Sequence, residues 1–393
     1  MRKMFIGVEA TTDYWITFQD LSHLKEQEHL GVGLRNAYAL LSQGRGEEEV
    51  IDNLSLTEVR HFLKKLETHG VSVESALGGN AALETLAGKT QGLSVSFFGA
   101  LPQLNISKAE LDTLRESFIG EEVRETPLSL IIQVTHGTTE RYILNKGNGR
   151  RVNDVLPSLL KAKKMISGDD ILLGLVGVHV LFGTKRFDLL KTYRDVLEEF
   201  RRNVGMTFSD TGGFSTYTLS ELKKLVEHIY TNVDALALNE EELLKIYNSF
   251  EGPGVEEHPV EMLSYLIEQF EALKTVWLHT TDVHISLSKE LSSSKMAESM
   301  KKAAAAGCFR VEVGKPPTQV ELLKIIKSRR LNSKGIKVVQ EIKKTYGKTF
   351  QGLKIVVEPS YLAEKFTTSV GAGDTACVTY FGNFLSTRAI GIS

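Results

Sequence analysis

The stretch DALALNEEELLKI, residues 234–246, changes character once, at Asn239. Its first part, DALAL, is apolar at consecutive positions and so carries nonpolar side chains to both faces of a strand. A strand of that kind is covered by helices on both sides. Its second part opens with three glutamates, which suit the positive N-terminal end of a helix. A strand delivered straight into a helix is the repeating unit of a mostly parallel α/β sheet.

The same alternation runs outward in both directions. MFIGV (4–8), LSVSFFG (93–99), LSLIIQV (128–134), ILLGLVGVHVLF (171–182), MTFSD (206–210), VWLHT (276–280), HISLS (284–288) and LKIVVEP (353–359) read as further strands. LTEVRHFLKKLETHG (56–70), KRFDLLKTYRDVLEEFRRN (185–203), LSELKKLVEHIY (219–230) and QVELLKIIKSRR (319–330) read as amphipathic helices, with Gly70 placed to stop the first. SSSKMAESMKKAAAAG (292–307) reads as an exposed helix. Two regions break the pattern. Residues 14–70 are helical and polar, and residues 127–156 read as a β-ribbon with HG and KGNG as turn signals. The expected fold class is α/β, a three-layer core with a central, mostly parallel sheet and a smaller lid. The core is expected over residues 1–13, 71–126 and 157–393, and the discontinuous lid over 14–70 and 127–156. In such a sheet ligands bind at the C-terminal ends of the strands.

Composition narrows the function. The 393 residues carry 47 basic and 49 acidic side chains, a net charge of −2, and 42% are apolar. That balance lacks the basic footprint of a nucleic-acid or anionic-membrane partner. Two cysteines, Cys308 and Cys377, make neither a disulfide framework nor a metal cluster, so a reducing compartment is expected. No apolar run approaches the ~18 residues that span a bilayer. The first apolar run is too short for a secretory signal, and the cytoplasm is the expected location.

Four short motifs could carry chemistry. TTSVGAGDTACVTYFGNFL (367–385) places Gly371 and Gly373 before a helix whose free N–H groups could receive a phosphoryl group. Asp374, in the first turn, could accept a hydroxyl proton. A plain glycine turn capped by Asp374 would read the same way. Asn239 and Glu242 share one face at a helix start and could hold a hydrated Mg²⁺ or orient phosphate oxygens. A capping box uses the same pair. SALGGNAALETLA (75–87) brings Gly79 and Asn80 to a helix start, where they could meet a hydroxyl-rich ligand or simply punctuate a loop. Asp13, in EATTDYW (9–15), could bind sugar hydroxyls or cap a helix.

The order of these features, an Asp after the first strand, GGNA (78–81), LNEEE (238–242) and GAGD (371–374), resembles the ribokinase (PfkB) superfamily. Within it the chain looks most like the ADP-dependent sugar kinases. VWLHTTDVHISL (276–287) is similar to that group's histidine-bearing strand, and LKIVVEP followed by TTSVGAGDT is similar to its closing strand and catalytic loop. The resemblance implies a ribokinase-like fold and a Mg²⁺-dependent kinase that moves the terminal phosphoryl of ADP to a sugar hydroxyl and releases AMP. It implies that Asp374 is the general base and that Gly371, Ala372 and Gly373 offer N–H groups to the phosphoryl in flight. Asn239 and Glu242 would position the Mg²⁺–nucleotide phosphates through water. Asp13, Gly79 and Asn80 would hold the sugar, and His279, Thr280, Val356 and Pro359 would lie on the adenine side.

Two positions depart from that group. Ala372 stands where it carries Leu, and Phe208-Ser209-Asp210 stands where it carries a His-x-Glu motif, leaving Asp210 as the metal candidate. An arginine-bearing lid strand in the group implies a phosphorylated acceptor; here the ribbon offers Arg141, Lys146, Arg150 and Arg151. Arg150 and Arg151 are the substrate-side candidates, with fructose 6-phosphate and ribose 1-phosphate ahead of glucose. A solvated basic edge would look alike. Ala372 keeps open an ATP-dependent PfkB-type sugar or nucleoside kinase, and Phe208 a non-catalytic sugar- or nucleotide-binding regulator. The expected partners are the sugar and the nucleotide, for a monomer or homodimer.

Other features are set aside. GVGLRN (31–36) lacks the third glycine of a dinucleotide fingerprint. His279 and His284, five apart in one strand-like run, are expected on opposite faces, which disfavours a zinc site. Cys377 is expected to be a small packed residue rather than a reactive thiol.

Overall fold

The computed structural model describes residues 3–8, 10–50, 55–116, 118–123, 128–136, 141–146, 151–182, 187–214, 216–251, 258–368 and 370–385. Along them the strands are β1 (Lys3–Gly7), β2 (Thr11–Phe18), β3 (Glu47–Val50), β4 (Ser72–Gly78), β5 (Val95–Pro102), β6 (Ile119–Val123), β7 (Leu128–Val134) and β8 (Arg141–Lys146). They continue as β9 (Gly168–Leu175), β10 (Val204–Asp210), β11 (Ala235–Leu238), β12 (Thr275–His279), β13 (Val283–Ser288), β14 (Thr349–Phe350) and β15 (Leu353–Pro359).

Ten of them form one sheet in the order β14-β15-β13-β12-β11-β10-β9-β1-β5-β6. From β6 to β12 every neighbouring pair is parallel. The last strands, β13, β15 and β14, join antiparallel. The opening stretch shows why the sheet is covered on both sides. In β11, Leu236 and Leu238 enter the core on one face, while Ala235 and Ala237 enter the core on the other. The fold class is therefore α/β as the alternation implied.

The other five strands make a smaller sheet, β3-β8-β7-β2-β4, with its own apolar core that includes Phe18, Leu34, Leu66 and Tyr142. Several boundaries differ from expectation, the first being that β2 runs across the expected border between residues 13 and 14 and lies wholly in the smaller sheet. Residues 72–78, expected in the larger unit, pair antiparallel with β2 in the smaller sheet. The helix Arg151–Met165 begins within the stretch expected to be lid, yet packs against β5 and β6 of the large sheet. ILLGLVGVHVLF does not run as one strand: β9 ends at Leu175, Gly177 turns the chain at φ +68°, and Val178–Leu181 is helical. The HG and KGNG turn signals fall outside the described residues at their tips.

The Ala-rich helix corrects another expectation. It spans Ser293–Val313, and Met296, Met300 and Ala303–Ala306 are buried. It lies against the helix Ala372–Leu385, and small side chains let the two backbones approach closely. No helix among the described residues is long and apolar enough to cross a membrane.

Candidate active site

The C-terminal ends of β10, β11 and β12 open into a cleft of about 910 Å³ whose opposite wall is the smaller sheet. The strand ends supply Asp210, Asn239 and His279; helix starts supply Gly79, Asn80, Glu242 and the Gly371–Asp374 turn; the smaller sheet supplies Asp13 and Arg141. Residues far apart in the chain meet here because parallel strands all end on the same side.

Gly371 has φ +72°, a left-handed conformation that a glycine adopts at least cost. A Cβ there would also sit 3.2 Å from the Arg310 guanidinium. Arg310 is locked: its Nε donates to the Val370 carbonyl at 3.0 Å and its Nη1 to the Gly314 carbonyl at 2.7 Å. One turn on, the Asp374 Oδ1 has no hydrogen-bond partner among the described residues. Burial pushes the Asp374 carboxyl up to about 7, and Asp210 adds to the rise, while Arg310 and Arg141 oppose it. A carboxylate poised near neutrality suits a general base.

Asn239 and Glu242 do form a capping box. The Asn239 N–H donates to Glu242 Oε2 at 2.8 Å, and the Glu242 N–H donates to Asn239 Oδ1 at 3.0 Å. The Thr211 hydroxyl and the Gly212 N–H also donate to this carboxylate, at 2.6 and 3.1 Å. The box fixes Glu242 at the cleft wall rather than excluding it from the site. Burial pushes Glu242 up to about 6, Asp210 adds to the rise, and the Thr211 hydrogen bond opposes it. Asp210 lies 3.7 Å from His279 Nε2, too long for a hydrogen bond but close for charge attraction. Burial lowers the His279 imidazole; Asp210, then Glu242 and Glu240, outweigh it and hold its pKa above the ordinary value. Asp210 thus adds to the rise at both Asp374 and Glu242. The excess negative charge on hard oxygen donors fits a divalent cation such as Mg²⁺.

The two glycines of GGNA have separate causes. A Cβ at Gly78 would stand 1.8 Å from Asp13 Oδ1, so its bare Cα makes room for that carboxylate. Gly79 turns into the helix Asn80–Thr90 at φ +82°. Asp13 sits in β2 and accepts from the Thr11 hydroxyl at 2.8 Å.

Some expected residues are elsewhere. Val356 is packed in the core beneath the cleft, and Pro359 lies against Gly335. Neither lines the cleft; the following segment, Ser360–Ala363, does. Arg150 falls outside the described residues, as does the side chain of Arg151. His279 and His284 are not on opposite faces: a tight turn separates two strands, and the pair stand directly across β12 and β13. Burial takes His284 down to about 3, so it stays neutral. Phe208 turns into the core and stacks on Phe381 at 4.1 Å, which gives this position a packing role. Cys377 is fully buried, as expected of a packed residue.

Three residues near the site escaped the sequence reading. Arg310 came from the misread Ala-rich helix, and His179 from the misread end of β9. Glu84 lies beneath the cleft floor in the helix Asn80–Thr90. A carboxylate on the otherwise apolar face of NAALETLA was the available signal.

The conserved region described as ADP-specific Phosphofructokinase/Glucokinase matches residues 138–381. No curated protein matches the chain. Among solved structures, a phosphofructokinase from Pyrococcus horikoshii OT3 with AMP aligns at a TM-score of 0.71 and 14% identity, over 98% of each chain. An ADP-dependent kinase complexed with fructose-6-phosphate and ADPβS aligns at 0.72 and 13% identity, over 99% of this chain and 95% of that one. The last common ancestor of ADP-dependent phosphofructokinases from Methanosarcinales aligns at 0.71 and 13%, over 98% and 94%. These likenesses show a shared fold.

Proposed function

The chain belongs to the ADP-specific phosphofructokinase/glucokinase family, a family of sugar kinases, and on that premise we propose that it transfers the terminal phosphoryl of ADP to a hydroxyl of a sugar phosphate and releases AMP. The observation that carries this reading is Asp374: a carboxylate with a free oxygen, held near neutral pKa, one turn from a glycine turn at a helix start.

In this mechanism Asp13 and Asn80 orient the sugar and Asp374 takes the proton of the attacking hydroxyl. The bond from that oxygen to the β-phosphorus forms as the bond to the bridging oxygen breaks, and AMP leaves with the electron pair. The N–H groups of Gly371, Ala372 and Gly373 face the phosphoryl in flight. Asp210 and Glu242 would hold a Mg²⁺, which would supply positive charge to the nucleotide phosphates. Arg141, on the cleft wall, offers a bidentate partner for the phosphate of the acceptor. The smaller sheet acts as a lid that keeps water from the phosphoryl group. Both described cysteines are free thiols, which suits the cytoplasm.

A panel of sugars and sugar phosphates, assayed with ADP and with ATP while AMP and ADP are followed, tests the reading. AMP formation with fructose 6-phosphate or ribose 1-phosphate, exceeding that with glucose, is expected. Transfer from ATP alone would replace the donor, and ligand binding without transfer on any sugar would favour a regulator.

A further inference from the structure

Beneath the cleft floor the helix Asn80–Thr90 packs against the helix Ala372–Leu385, and the end of β10 reaches between them. The apolar face of the first helix is interrupted by Glu84, which is 0% exposed. Its interaction with the neighbouring Cys377 thiol aside, neither of its carboxyl oxygens has a hydrogen-bond partner among the described residues. An unpartnered buried carboxyl is costly, and it points to a group that would satisfy it. The Glu84 carboxyl, the Asp210 carboxylate and the Cys377 thiol have ligand atoms that all lie within 4.8 Å of one another.

We propose that Glu84, Asp210 and Cys377 form a second cation site, beneath the cleft, for a thiophilic divalent ion such as Zn²⁺. Two ligands of one tetrahedral Zn²⁺, each bonded at about 2.0–2.3 Å, stand about 3.3–3.8 Å apart, so the three side chains close on the ion by drawing together by about 1 Å through rotamer adjustment. A thiolate beside two carboxylates selects Zn²⁺ or Co²⁺ over Mg²⁺, which takes oxygen ligands and keeps its waters. Asp210 also lines the cleft, so the fourth position opens there for water and for entry of the ion. Binding displaces the Glu84 and Cys377 protons to solvent. The site shares Asp210 with the proposed Mg²⁺ position and differs from it in Glu84, Cys377 and depth, and it stands whichever donor and acceptor the kinase uses.

Co²⁺ titration of the chelator-treated full chain under anaerobic conditions tests it, with the thiolate-to-Co²⁺ charge-transfer band as the readout. One equivalent of Co²⁺ should raise the band, Zn²⁺ should abolish it, and excess Mg²⁺ should not. The band should vanish in Cys377→Ala and persist in Cys308→Ala. The near-isosteric Glu84→Gln variant, shown to be folded by circular dichroism, should bind Co²⁺ about tenfold or more weakly. No band in the wild-type chain, a band that survives Cys377→Ala, or wild-type affinity in Glu84→Gln overturns the proposal.

Discussion

The proposed mechanism rests on Asp374 more than on any other residue in the cleft. Replacing it by Asn should lower kcat by about 10²–10⁴-fold, since a positioned general base contributes that much. With its pKa raised to about 7, kcat/KM should fall as pH drops through that value. Because Arg310 opposes the rise, Arg310→Met should move this limb to higher pH; an unmoved limb would show that Arg310 only braces the turn. The sign for stability is the reverse of that for activity. A carboxyl raised from 3.8 to about 7 in the fold favours the folded state below its unfolded value, and this contribution is lost as pH rises through about 7. Asp374→Asn should therefore melt no lower than wild type at pH 8, and a large drop in Tm would contradict the burial argument. Residues such as Asp374 and Glu242 were legible in the sequence because local helix-start geometry places them. Arg310, His179 and Glu84 were not, because only the packing of distant helices gives them their neighbours.

Among elements, the Ser293–Val313 helix separates pattern from packing most clearly. An Ala- and Lys-rich stretch reads as exposed because it lacks a bulky apolar stripe, yet small residues are what close helix packing selects. Met300→Ala should cost about 2–5 kcal/mol in chemical denaturation if the helix is buried as observed. A surface helix would lose within about 0.5 kcal/mol. The strands were more legible: DALAL and LKIVVEP lie within a residue of their expected bounds because consecutive apolar residues leave little choice. The exception, at 171–182, arose because one glycine, Gly177, ends an apolar run that hydrophobicity alone would continue. The Asn239–Glu242 box shows an element end serving two purposes. Glu242→Gln can keep much of the hydrogen-bonded shape while removing the charge. It should raise the Mg²⁺ concentration needed for half-maximal activity without lowering Tm; an unchanged Mg²⁺ requirement would restrict Glu242 to capping.

For the whole molecule, two sheets face each other across one cleft. That a second unit exists was legible because residues 14–70 and 127–156 interrupt the strand–helix alternation; that it is a five-stranded sheet was not, because β2 and β3 lie largely in a stretch read as helical. The borders of the two sheets were less legible, since β4 is recognised as part of the smaller sheet only through its pairing with β2. If the smaller sheet is a lid, a sugar phosphate together with AMP should reduce the radius of gyration in small-angle X-ray scattering and slow amide exchange in β7 and β8. Unchanged scattering and exchange at saturating ligand would contradict closure. The most direct test of the account follows the transferred group itself. ADP labelled with ³²P at the β-phosphorus, mixed with fructose 6-phosphate or ribose 1-phosphate and Mg²⁺, should pass its label to the sugar in step with unlabelled AMP, and Asp374→Ala should transfer almost none. Label that stays on the nucleotide or appears as inorganic phosphate, or undiminished transfer by Asp374→Ala, would contradict it.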